Sequence, residues 1–224
     1  MVSAFGATEN PTSQDPSAVA TKLAAFVNAN NLDGVDIDYE DNAAMEAGKA
    51  ETWLITFTKT LRSLLPNHII THAPQAPYFK KEHYSQGEYI TVNQQVGNLI
   101  DFYNVQFYNQ GDTQYNTYTE LFSKATGTFS GTSVSEIINR GIPSQKIVVG
   151  KPATQGDASN TGLVSASELG NWCAQAFTQY GWYAGVFFWQ FRSDKDGALI
   201  KSATASLATK IQSGLPVINT TTPT

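Results

Sequence analysis

The ten residues from Leu32 to Asp41, LDGVDIDYED, constrain this chain more than any others. They hold five carboxylates: Asp33, Asp36, Asp38, Glu40 and Asp41. Val35, Ile37 and Tyr39 alternate with three of them, and a period of two is the mark of a β-strand. On such a strand Asp36, Asp38 and Glu40 share one face and the apolar residues share the other. A row of like charges on one face is costly, because close carboxylates raise each other's pKa. Stability alone does not account for it.

Three readings of the stretch compete. A solvated acidic edge strand is disfavoured by the apolar run and the lone Gly34, which suit a buried strand. A calcium loop needs a turn with glycine in mid-loop and oxygen ligands at alternating turn positions. Here β-branched residues separate the acids and no such glycine follows. The third reading is general acid chemistry, in which charged neighbours keep one carboxyl protonated so that it donates near neutral pH. The density of the pattern favours it.

Composition narrows the classes further. At 224 residues the chain is long enough for one well-buried domain. A charged fraction of 15% argues against disorder. The net charge of -5, with no basic cluster, argues against a nucleic-acid partner or an anionic membrane surface and suits a neutral substrate. No run approaches the roughly twenty apolar residues of a membrane span. The single cysteine, Cys173, sits at helical spacing from apolar neighbours and reads as a core thiol rather than a nucleophile. His68, His72 and His83 form no metal-ligand or Ser-His-Asp pattern, and no cofactor is expected.

Along the chain, strands are expected near residues 2, 35, 68, 103, 147 and 186. Helices are expected over about 17–28, 43–65, 93–100, 118–125, 133–140, 165–180 and 196–211, the sixth capped by Ser165 or Ser167. Strands alternating with helices define a parallel α/β domain over 1–214, followed by a Thr/Pro-rich tail at 215–224. Asp33 is expected to order the turn into the acidic strand, and Asp41 to open the next helix or stand as a solvated charge rather than to take part in catalysis. Tyr78, Phe79 and Tyr84 fit either a groove lining or loop packing.

The pattern D-G-x-D-x-D-x-E, carried here by Asp33 to Glu40, resembles the signature of family 18 glycoside hydrolases, the chitinases and their relatives. That resemblance implies a (β/α)8 TIM barrel in which the acidic stretch is the fourth strand. Ala73-Pro74-Gln75, and Gln106, Tyr108 and Asn109 as Q-x-Y-N, resemble the plant-type and fungal subgroup. Six βα units against the eight of a full barrel imply an incomplete barrel that lacks the first two strands. The VSAFG segment also departs from the S-x-G-G usual at the third strand. A truncated or processed form is expected, with open sheet edges that invite a second copy.

By the same resemblance, Glu40 is the general acid, Asp38 holds the substrate's acetamido N–H, and Asp36 shares charge with Asp38. Tyr108 donates to the acetamido oxygen. Gln75, Gln106 and Asn109 bind polar sugar groups, and Trp189 stacks under the ring. The implied reaction is retaining, substrate-assisted cleavage of β-1,4-linked N-acetylglucosamine, with chitin as first candidate. An endo-β-N-acetylglucosaminidase acting on the chitobiose core of N-glycans is the alternative enzyme. An inactive chitinase-like binding protein is the alternative class. Family resemblance and the sequon at Asn219 imply an extracellular location, although the chain carries no signal peptide.

Overall fold

The computed structural model describes residues 1–80 and 82–214; the tail expected at 215–224 lies outside them. Six parallel strands form one curled sheet in chain order: β1 Val2–Phe5, β2 Gly34–Asp38, β3 Ile69–His72, β4 Phe102–Gln106, β5 Ile147–Pro152 and β6 Val186–Trp189. The architecture is an incomplete (β/α)8 barrel, as expected. Register places Ser3 beside Asp36 and Asp36 beside Thr71, so polar residues of three strands meet on the inner face. Gly34 is what lets β2 and β3 close up. A Cβ there would lie 2.1 Å from the carbonyl oxygen of Ile69.

The helices are α1 Pro16–Ala29, α2 Asn42–Glu46, α3 Ala50–Leu64, α4 Glu88–Val96, α5 Val134–Asn139, α6 Ala166–Tyr180 and α7 Ala198–Gln212. Three expectations are corrected. The single helix expected over 43–65 is two, parted at Gly48, whose φ of +64° no helix continues through. Helix α4 begins at Glu88 rather than near 93, because left-handed Gly87 turns the chain into it and Tyr89, Ile90, Val92 and Val96 are buried along it. The segment near 118–125 is a short π-helical turn, Thr119–Ser123.

The outer face of the sheet carries the core. Val35, Ile37, Ile70, Tyr103, Val105 and Val149 are fully buried, facing a layer that includes Phe57 and Leu61 of α3 and Val92 of α4. Removing apolar surface from water at roughly 25 cal/mol per Å² is the main force holding the layers together. Trp53 and Phe57 stack at 4.8 Å, with Phe5 edge-on to both. Arg62, near the end of α3, donates to the carbonyls of Leu65, His68 and Leu99 and pairs with Asp101 at 2.8 Å, tying the helix to the feet of β3 and β4. Buried His72 bonds Thr58 and Tyr89, and burial pulls its pKa down to about 3, so it stays neutral.

Tyr78 and Phe79 are buried, Tyr78 stacking on Tyr89, so that aromatic cluster packs the loop rather than lining a groove. Cys173 is buried in α6, whose cap is Ser165. Asp41 caps α2 through Ala44 N–H. At the open end, β6 is half-buried on both faces, because β5 is its one neighbour among the described residues.

Candidate active site

The acidic strand places Asp36 and Asp38 on the inner face of the curl, and Glu40 follows just past its C-terminal end. Asp36 accepts from Ser3 Oγ (2.9 Å), Thr71 Oγ1 (2.5 Å) and Asn104 Nδ2 (3.0 Å), one donor from each of three other strands. Its carboxyl is therefore fixed in place by three donors. None of these partners is legible in the sequence, where each is a single polar letter in a different strand; register sets Ser3 and Thr71 beside Asp36, and the curl of the sheet brings Asn104 to it from β4, two strands away.

Gln106 sits at the centre. Its Nε2 lies 2.9 Å from Asp38 Oδ1, 3.2 Å from Glu40 Oε1 and 2.9 Å from the carbonyl of Ala73. Gln75 Nε2 donates to Glu40 Oε2 at 2.9 Å. Glu40 is thus held from both sides by amides, and Gln75 acts on the carboxylate as well as lining the groove. Burial pushes the Asp38 carboxyl up to about 8, helped by the charge of Glu40, a hydrogen bond to it and the charge of Asp36, with Gln106 working the other way. Two carboxyls that close hold one proton between them. Burial and the same three carboxylates keep the Tyr108 phenol un-ionised.

These groups open into a groove of about 510 Å³ lined by Phe5, Glu40, Gln75, Tyr108 and Asn109, with Trp189 across it. Trp189 is 45% exposed, so it is a wall of the groove and not core. Asn109 adopts φ +58°, a left-handed conformation that asparagine tolerates. Its Oδ1 accepts the backbone N–H of Ser159 (2.8 Å) and Asn160 (3.2 Å), leaving the Nδ2 end for the groove. The far wall holds residues the sequence did not single out: Asp157, Ser159 and Asn160. Asp157 accepts from Thr154 and from Gln190 Nε2, the residue after Trp189; bonds from Thr154, then Ser193, then Gln190 hold its carboxyl below the usual range. Among the described residues, all eight predicted site residues gather around this groove or its floor.

Carboxyls at the C-terminal ends of parallel strands, facing a sugar-sized groove, are the layout of an α/β-barrel glycosidase. The sequence model of glycosyl hydrolases family 18 matches residues 4–209. The chain belongs to that family. A GH18 chitinase from Pseudoalteromonas aurantia is similar at 34% identity and a TM-score of 0.76, over 91% of this chain and 73% of that one. The chitinase ChiC of Aspergillus fumigatus is similar at 25% identity and 0.67, over 84% and 63%. A fungal endo-β-N-acetylglucosaminidase of family 18, at 22% identity and 0.65 over 93% and 70%, bears on the fold alone. No match was found among curated proteins. No helix among the described residues is long and apolar enough to cross a membrane.

Proposed function

We propose that the chain cleaves β-1,4-linked N-acetylglucosamine, in chitin or chito-oligosaccharides, with retention of configuration. The observation that carries this reading is the Asp38–Glu40 pair bridged by Gln106, with Trp189 across the same groove. When the sugar binds, the one proton of the pair passes from Asp38 to Glu40, which gives it to the leaving oxygen. Asp38, left as a carboxylate, turns to accept the acetamido N–H of the sugar. The acetamido oxygen closes on the anomeric carbon as the glycosidic bond breaks, and Tyr108 donates its hydroxyl to that oxygen. Asp36 keeps negative charge beneath the oxocarbenium-like centre. Gln106 and Asn109 hold polar groups of the sugar, and Trp189 packs against its apolar face.

Water then opens the cyclised intermediate with Glu40 as base, which returns the β-anomer. Proton NMR of chito-oligosaccharide cleavage tests the mechanism: the β-anomer is the expected first product, and the α-anomer appearing first would sink it. The chitobiose core of N-glycans, which has the same linkage, is the second substrate this reading allows. Family membership favours work outside the cell on glycans. The open edges of β1 and β6 favour self-association.

A further inference from the structure

Lys151, on β5, is fully buried, and no ion pair among the described residues includes it. Its Nζ donates to the carbonyls of Phe107 (3.0 Å) and Tyr115 (2.7 Å), and the Tyr115 ring centroid lies 6.0 Å away. Phe107 and Tyr115 themselves pack edge to face at 5.2 Å. The lysine therefore pins both ends of the loop that carries Tyr108 and Asn109. A buried ammonium without a counter-charge is expensive, and replacing such a group by an apolar one of similar size is often neutral or stabilising. Burial pulls the pKa of Lys151 down to about 7, with the charge of Glu120 working against it. What the burial provides is the pair of bonds to the two loop carbonyls.

A second contact reaches the same residue from the loop after β5. Gly162, at φ +101°, lies so close that a Cβ would stand 2.5 Å from both Cα and Cβ of Tyr108. Nearby, Asn109 N–H donates to the Thr161 carbonyl at 2.9 Å, and Asn109 Oδ1 takes the N–H groups of Ser159 and Asn160. Backbone on one side and a buried ammonium on the other leave Tyr108 one position.

We propose that Lys151 is a positioning residue of the hydrolytic site, acting through the Phe107 carbonyl to hold Tyr108 where it meets the substrate, with Gly162 as the opposing stop. The inference rests on the reading in which Tyr108 touches the acetamido group. Lys146 supplies the control. It makes the same kind of bond, to the carbonyls of Gly97 and Ile100, at the opposite end of β5.

The test compares Lys151→Met, Gly162→Ala, Tyr108→Phe, the Lys151→Met/Tyr108→Phe double variant and Lys146→Met, on a fluorogenic chitobiose glycoside. Misplacement of about 1 Å costs about a hundredfold. Lys151→Met is expected to lose about 10–100-fold in kcat with little change in KM, and Gly162→Ala to lose kcat likewise. The double variant is expected to be no slower than Tyr108→Phe alone, because both changes remove one function. Losses that multiply, or an equal loss in Lys146→Met, overturn the proposal. Full activity of Tyr108→Phe overturns the parent reading and the proposal with it; a slowed Tyr108→Phe beside an unaffected Lys151→Met overturns the proposal alone. Amide exchange supplies a readout free of turnover. Protection over residues 107–110 is expected to fall in Lys151→Met and hold in Lys146→Met, and unchanged protection in Lys151→Met overturns the proposal.

Discussion

Asp38 and Glu88 are both acids whose carboxyls burial pushes up, with opposite consequences. At Asp38 the proton lies beside Glu40 at the mouth of the proposed chemistry. Glu88 opens α4, does not line the groove, and is fully buried at φ +40° with neither carboxyl oxygen hydrogen-bonded among the described residues; its N–H donates to Glu51 at 3.0 Å. Burial first, and the charge of Glu51 second, push Glu88 up to about 10. The folded chain therefore keeps a proton that the unfolded chain releases near the ordinary value of 4.5. Stability from that proton is complete below about 4.5 and declines as pH rises toward about 10. Glu88→Gln is expected to raise the melting temperature at pH 8, by roughly 2–4 °C per kcal/mol recovered, and to flatten its fall between pH 5 and 9. A variant as steep in pH as the parent contradicts this account.

The elements show what the sequence made legible and what it hid. Asp36, Asp38 and Glu40 announced themselves because a period of two places them on one face of a single strand, and the strand is there, ending at Asp38. The other strands were legible for a different reason: each is a short, largely apolar run between turn residues. Helix boundaries were harder. Gly48 breaks an otherwise periodic run, and the polar opening of α4 conceals buried Tyr89 and Ile90. The partners of Asp36 were hidden for a deeper reason. Ser3, Thr71 and Asn104 gain meaning only when β1 and β3 pair with β2 and the curl of the sheet brings β4 across to it. Asp157, which joins the loop after β5 to Gln190, is equally silent until the loops fold together.

At the scale of the whole molecule, six strands curl far enough to gather the site yet leave β1 and β6 each with one partner among the described residues. Unpaired strand edges recruit other strands, and beside the edge of β6 Phe191 is 79% exposed. Sedimentation of the chain at micromolar concentration is expected to show a self-associating species; a folded, clean monomer would count against open edges as docking strands. The proposed catalytic groups nevertheless all come from a single chain, spread over β2, β4 and β6 and the loops that follow the strands.

Release of the fluorophore from a chitobiose glycoside, measured on this chain beside its Glu40→Gln variant, tests that claim most directly. The predicted result is turnover that falls by about a hundredfold or more in the variant, the scale of a lost general acid. Equal rates in the two proteins would contradict Glu40 as the acid. No turnover in a well-folded parent chain would contradict the claim that six βα units assemble a working site.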